Sequence, residues 1–309
     1  MKQSLVKAIL ENPEFQNGTQ ETKAKVIAKF REKGIQMKEI LQIAYSSNVL
    51  SFNLGYQVMN NTISGSEAAL VKQCQIKYDG GWSNIGLSKC TQNAADLIKD
   101  YNLFGLQEVH YNYVKLLEDY LRKQNTNFKF VNSRTGLVVG YDSSIYGNAI
   151  LITPDDYVFG ENKNDLRGMM AVYFPSNKTL IINLHAPHYI DLVEQLNMNF
   201  EYIGQLFYKR YPYDDPRILV TGDFNDYNGS LIEPSLKGKL KMLGKSLKLH
   251  VKGKSDTPKS CCMDSNYKFV GDYIFDSDQN LSYFGFPLGY LRHEPFMSDH
   301  DPVVLLKKR

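Results

Sequence analysis

Several positions in the chain set a polar residue suited to phosphate or a hard cation at or just beyond the end of a short apolar run. They are Asn53, Glu108, His185, Asp223 with Asn225, and near the C-terminus Asp299 with His300. A single carboxylate behind a strand is more often a turn former or a helix cap than a catalyst. Five such positions in one chain point instead to side chains gathered at one edge of a sheet assembly. Their types fit one kind of chemistry. Magnesium takes oxygen ligands and keeps several waters, so one or two carboxylates and the substrate's own phosphate oxygens suffice to hold it. Phosphodiester hydrolysis also needs an oriented water, a base, neutralisation of the charge that builds on phosphorus, and help for the leaving oxygen. On type and order, Glu108 and Asp299 read as metal ligands with Asn53 assisting. His300 reads as a general base or electrostatic group whose tautomer Asp272 would hold. Asp223 and Asn225 read as positioning the water and a non-bridging oxygen.

Residues of this kind need elements to aim them. The apolar runs 49–53, 103–108, 180–185, 218–223 and 273–275 are short and rich in Leu, Ile, Val and Phe, as strands buried on one or both faces are. Apolar residues at helical spacing fill 92–99, 114–123 and 192–208 between them. Strands alternating with helices predict an α/β arrangement whose sheets are covered by helices. Residues 1–42 differ in texture, with apolar residues at helical spacing among charges and breaks near Pro13, Gly18 and Gly34. They read as an N-terminal helical extension that packs on the main domain at 45–309, or else offers a protein contact. No internal repeat and no low-complexity tract is present.

Four of these segments form a recognisable set. Leu106 to Val109, Thr221 to Asn225, Gly271 to Phe275 and Ser298 to Val303 resemble, in order, four motifs of the endonuclease/exonuclease/phosphatase superfamily. Ser51-Phe52-Asn53 is similar to that superfamily's first motif, and Asn183-Leu184-His185 to the central histidine motif of its DNase I-like branch. Arg167, ahead of the run 169–174, sits where that branch often places a phosphate-contacting arginine. The resemblance covers about residues 45–309 and implies a four-layered α/β sandwich, with two mixed β-sheets face to face, helices outside and the site at one end. It implies a divalent metal, magnesium or manganese. It also implies catalytic roles for Asp223 and His300, orientation of His300 by Asp272, metal ligation by Glu108 and Asp299, assistance from Asn53 and Asn225, and charge stabilisation or protonation by His185. Val109 and His110 behind Glu108 depart from the abasic-site endonucleases, which place a lysine there. His185 matches the DNase I, deadenylase, sphingomyelinase and some phosphatase branches instead.

Composition narrows the setting. With 309 residues, 43% hydrophobic and 22% charged, the chain has enough apolar material for one large α/β domain or two small ones. A net charge of +3 permits polyanion binding without demanding it. The N-terminal residues lack a secretory pattern, and no stretch approaches the roughly 18 apolar residues of a membrane span. Cysteines at 74, 90, 261 and 262 have neither zinc-ribbon nor CxxC spacing. The expectation is therefore an intracellular monomer with reduced thiols and no membrane contact. Residues 60–90 read as a long loop held by a buried aromatic, with base stacking by Trp82 or Tyr78 the rarer outcome. The lysines between 237 and 254 read first as a solvated face, and otherwise as a flank of the substrate groove. The leading expectation is a metal-dependent nuclease with nucleic acid as its substrate. The alternatives are a phosphatase or phosphodiesterase on a small molecule such as an inositol phosphate or cyclic nucleotide, and an inactive binding protein on the same fold.

Overall fold

The computed structural model describes residues 12, 22, 25, 26, 29, 30, 32, 45–56, 59, 87–159, 167–188, 191–250, 260, 261, 269–278, 283–287, 298 and 300–308. Two six-stranded sheets dominate it. The first contains β1 (Tyr45–Asn53), β2 (Leu103–Gln107), β3 (Phe128–Asn132), β4 (Val138–Asp142), β13 (Tyr283–Pro287) and β14 (Val303–Lys308), in the order β13-β14-β1-β2-β4-β3. The second contains β5 (Ile150–Leu151), β6 (Met169–Phe174), β7 (Thr179–His185), β8 (Arg217–Asp223), β11 (Lys248–Leu249) and β12 (Asp272–Asp276), in the order β11-β12-β8-β7-β6-β5. A two-stranded ribbon of β9 (Lys241–Met242) and β10 (Lys245–Ser246) lies outside them. Both sheets are mixed, with β1 and β2 parallel in one, β7 and β8 parallel in the other, and the remaining pairs antiparallel. Helices α1 (Lys89–Ile98) and α2 (Tyr111–Arg122) cover the first sheet, and α4 (Leu192–Arg210) covers the second. Short helices α3 (Ser143–Tyr146) and α5 (Ile232–Leu236) fill connections. This is the four-layered sandwich expected from the sequence.

Period-two alternation divides each strand between two cores. On β1, Leu50 and Phe52 pack outward with Ala94, Ile98, Leu117 and Leu121 of the helices. Val49 packs inward against the other sheet, in a core that includes Leu103, Ile181, Leu219, Ile274 and Val303. Leu180, Ile182, Ile218, Val220 and Phe275 face outward beneath Leu196, Phe200, Ile203 and Phe207 of α4. Phe30 and Val26, both helical, join the first outer core.

Continuing the inward positions along the strands changes their chemistry. After Val49, Leu103, Ile181 and Leu219 come Ser51, Gly105, Asn183 and Thr221; one step further come Asn53, Gln107, His185 and Asp223. The middle set forms a buried polar bridge between the sheets. The Asn183 amide donates to the Leu106 carbonyl at 2.7 Å and the Val138 carbonyl at 3.0 Å, both on the opposite sheet. Its oxygen accepts from Gln107 Nε2 at 2.6 Å and Thr221 Oγ1 at 3.2 Å. Gly105 makes room for it: a Cβ there would lie 2.1 Å from Thr221 Oγ1 and 2.6 Å from Asn183 Oδ1.

Two stability predictions follow from this packing. Asn183→Leu removes the amide bonds to two buried carbonyls of the facing sheet and the acceptor of the short Gln107 bond, each loss costing about 1–3 kcal/mol. Urea unfolding should show a loss of at least about 3 kcal/mol, and an unchanged midpoint would remove the bridge from the account. At His250, burial holds the imidazole below its ordinary pKa against the pull of Asp276, and the Arg217 charge adds to the lowering. The unfolded chain therefore takes up the proton first. The stabilising contribution is full above the unfolded value of about 6.5 and is lost as pH falls through the lower folded value. Urea midpoints measured from about pH 7.5 down to about pH 5.5 should fall less steeply for His250→Gln than for the natural protein.

Candidate active site

The strands deliver their end residues to one seam between the sheets. Asn53 ends β1, His185 ends β7 and Asp223 ends β8, with His185 and Asp223 directly paired in the β7–β8 register. Asp272 opens β12, but β12 runs antiparallel to β8 and pairs Asp272 with Asp223, which brings it to the same edge. Glu108 follows β2 immediately. Arg167 precedes β6, whose antiparallel pairing with β7 also turns it to that edge.

Asn53 ties the two carboxylates together. Its Nδ2 donates to Glu108 Oε1 at 3.1 Å and to Asp223 Oδ2 at 3.0 Å, while its oxygen accepts from the Gly55 N–H at 3.0 Å. The Tyr56 N–H donates to Glu108 Oε2 at 2.9 Å. Burial alone would raise the Glu108 pKa, but His185, the Tyr56 N–H, the Asn53 amide and His300 outweigh it and hold the carboxyl below its usual value. On the other side, the Asn225 N–H donates to Asp223 Oδ1 at 2.9 Å, and Asn225 Nδ2 donates to the Ala186 carbonyl at 2.6 Å. Glu108 and Asn225 both have left-handed backbones, with φ of 57° and 50°. Such strain in residues other than glycine persists only where surrounding bonds enforce it, as the Asn53, Tyr56 and Ala186 contacts do here.

The two imidazoles have assignable tautomers. Arg167 Nη1 lies 3.0 Å from His185 Nδ1 and 4.0 Å from Glu108 Oε1. A guanidinium can only donate, so Nδ1 is the acceptor and the proton of the neutral ring sits on Nε2. That Nε2 has no hydrogen bond among the described residues, at 3.6 Å from Glu108 Oε1 and 3.5 Å from Asp223 Oδ2. Burial pushes the His185 pKa down, against the pull of both carboxylates. His300 Nδ1 donates to Asp272 Oδ2 at 2.9 Å, so the neutral ring keeps its lone pair on Nε2, which lies 3.7 Å from Asp223 Oδ2 and 3.7 Å from Cys261 Sγ. Ser298 fixes the segment before His300 by donating to the Asn53 carbonyl at 2.7 Å and accepting the His300 N–H at 3.2 Å.

Side-chain ligand atoms of Glu108, His185 and Asp223 fall within 4.8 Å of one another, as do those of Asp223, Asp272 and His300. The donor set fits a hard cation. Glu108 offers carboxylate oxygens at the outer end, one quarter exposed, whereas His185 Nε2 carries a proton and cannot ligate while Arg167 holds the other nitrogen. Thus Asn53, Glu108, Arg167, His185, Asp223, Asn225, Asp272 and His300 are brought together. Asp299 lies outside the described residues, as do Trp82, Tyr78, Cys74, Cys262, Lys252 and Lys254. Lys237 and Lys245 of the lysine-rich segment are engaged in surface ion pairs with Glu233 and Asp215.

The thiols differ from expectation. Cys90 and Cys261 each belong to a disulfide, and no described cysteine is free. Sequence spacing cannot reveal which cysteines the fold brings within bonding distance. Because disulfides persist in oxidising compartments, reduced thiols no longer support an intracellular setting. Among the described residues no helix is long and apolar enough to cross a membrane.

Sequence reasoning also missed Asp226. Buried directly after Asn225, it accepts from Ser230 N and Oγ at 2.7 Å each, Leu231 N at 2.8 Å and Tyr273 Oη at 2.7 Å. Its only sequence signal is the Asp-x-x-x-Ser spacing of a side chain capping the following turn.

No protein-family model and no curated protein matches the chain. Its fold does match solved structures. An endonuclease/exonuclease/phosphatase family protein from Bacteroides thetaiotaomicron superposes with a TM-score of 0.52 at 16% identity, covering 86% of this chain and 98% of the other. TDP2 of D. rerio, complexed with a single-strand DNA product, gives 0.53 at 13% identity over 85% and 98%. A mannosyl-6-phosphatase of B. thetaiotaomicron gives 0.52 at 17% identity over 85% and 99%. The chain therefore has the endonuclease/exonuclease/phosphatase, or DNase I-like, fold.

Asp226→Ala should cost about 2–4 kcal/mol, since charge-assisted bonds contribute about 1.5–3 kcal/mol each and are not additive. A urea midpoint unchanged from the natural protein would show that the turn stands without it.

Proposed function

We propose that this protein is a metal-dependent phosphoester hydrolase that cleaves phosphodiester bonds in nucleic acid. The observation that carries the reading is the Asn53 amide shared between Glu108 and Asp223, with protonated and unprotonated imidazole nitrogens facing the same carboxylate. That arrangement separates a cation-binding end at Glu108 from a proton-accepting end at Asp223 and His300. Magnesium or manganese at Glu108, with Asp299 as a second ligand, would neutralise phosphate charge.

The chain's own groups perform the rest. Asp223, held by the Asn53 and Asn225 donors, orients the attacking water through its carboxylate oxygens. His300, braced by Asp272, accepts or shares the proton at Nε2. The Nε2 proton of His185 meets the non-bridging oxygen on which charge grows, and Arg167 contacts the phosphate. Among the described residues Arg167 is the only guanidinium placed at this seam, alongside neutral His185. One cation and one guanidinium suit a singly charged diester better than the denser charge of an inositol polyphosphate. The single-strand DNA product of D. rerio TDP2 is compatible with this preference, while the mannosyl-6-phosphatase shows that the fold also serves small phosphates.

The test is a panel of single-stranded RNA, single- and double-stranded DNA, and an inositol polyphosphate, each with magnesium or EDTA. Metal-dependent cleavage of a polymer, abolished in Glu108→Ala, is the expected result. Phosphate release from the inositol substrate alone would replace the nuclease with a phosphatase. Asp223→Asn and His300→Ala should each lower turnover by about 10²- to 10⁴-fold with the fold intact. Near-normal turnover in either variant would refute the role given to that residue.

A further inference from the structure

The bonded path through the site ends in a tyrosine on each side. It runs from the Tyr56 N–H to Glu108, through Asn53 to Asp223, and through Asn225 to Tyr227, whose hydroxyl donates to Asn225 Oδ1 at 3.1 Å. Each terminal tyrosine belongs to an aromatic group on the surface. Beyond Glu108, the Tyr56 ring lies 4.8 Å from that of His110, which stacks on Tyr111 at 4.7 Å and 22°. Beyond Asn225, the Tyr227 ring lies 5.3 Å from that of His188 and 5.6 Å from that of Phe269.

Four of these rings are open to solvent: Tyr111 at 74%, Phe269 at 43%, Tyr56 at 40% and Tyr227 at 37%. None belongs to the three buried cores. The first group follows β1 and β2 of one sheet; His188 and Tyr227 follow β7 and β8 of the other. The groups therefore flank the carboxylate seam from opposite sheets. Exposed aromatics outside the cores and beside the proposed phosphate site offer faces on which planar groups stack.

We propose that these groups are two base-stacking shelves, and that the substrate is a single-stranded nucleic acid whose scissile phosphate lies between bases resting on Tyr111 and on Phe269. This deepens the nuclease reading and rests on it. Bases already stacked and paired in a duplex cannot reach both shelves, so an unpaired strand is required. Every base has a π-face, so stacking of this kind tolerates sequence. A small polyol phosphate has no planar group on either side of phosphorus and would leave both shelves unused.

The experiment compares two single strands with one cleavable linkage each, one bearing bases on both flanking nucleotides and one carrying base-free tetrahydrofuran units there. Tyr111→Ala and Phe269→Ala each truncate an exposed ring that makes no hydrogen bond to the carboxylates or to His185 and His300. On the base-bearing strand each should lower kcat/KM by about 5- to 100-fold. On the base-free strand the loss should shrink to within about twofold, and Tyr111→Phe should restore the base-bearing activity, since the ring rather than the hydroxyl stacks. Equal losses on both strands, or no loss on either, would overturn the shelves while leaving the nuclease reading intact. A natural protein inert on both strands yet active on an inositol polyphosphate would overturn the nuclease reading and this inference together.

Discussion

Two sheets packed face to face can place catalytic groups only if their relative position is fixed to a fraction of an ångström. Apolar contact alone does not do this, because hydrophobic attraction is non-directional. In this protein the fixing element is Asn183, which sits on one sheet and bonds the backbone carbonyls of Leu106 and Val138 on the other. One of those carbonyls, that of Leu106, lies two residues before Glu108. A buried polar group of this kind is costly unless every partner is present, so it selects one register between the sheets. Gly105 is the complementary concession: a side chain there would occupy the space of the bridge.

Above the bridge the same alternation brings charge. The inward face grades from Val49, Leu103, Ile181 and Leu219, through the amides and hydroxyls, to Asn53, His185, Asp223 and Asp272. The polar layer separates the greasy interior from the ionic seam and supplies partners at the boundary. Because the seam is mostly buried, its charges act with little screening, and the tautomers are dictated by fixed neighbours. Arg167 sets the proton of His185, and Asp272 sets that of His300. The left-handed backbones of Glu108 and Asn225 mark the two places where the chain is forced out of its preferred geometry to complete the ring of donors.

The strand ends were legible because period-two burial and short apolar runs leave a strong signal. The runs 49–53, 180–185 and 218–223 fall within Tyr45–Asn53, Thr179–His185 and Arg217–Asp223, and 103–108 overshoots Leu103–Gln107 by Glu108 alone. The helices expected at 92–99, 114–123 and 192–208 likewise lie on Lys89–Ile98, Tyr111–Arg122 and Leu192–Arg210 within three residues at either end. What the sequence could not convey depends on distance across the sheets. Asn183 reads as one letter of a histidine motif, and its reach to the facing sheet emerges only when the sheets are packed. Asp226 reads as a turn residue, since its bond to Tyr273 spans 47 positions. In the sequence Trp82 and Tyr78 stand out by their place in a long loop, whereas Tyr56, Tyr111 and Tyr227 stand out only by their exposure beside the seam.

The central proposal is that an oxygen-ligated cation binds at Glu108 while neither His185 nor His300 ligates it. Anomalous diffraction from crystals soaked in manganese addresses it directly. A manganese peak against the Glu108 carboxylate, with His185 Nε2 clear of the ion, is the expected result. A peak bonded to His185 Nε2, or no peak at Glu108 at a saturating concentration, would contradict it.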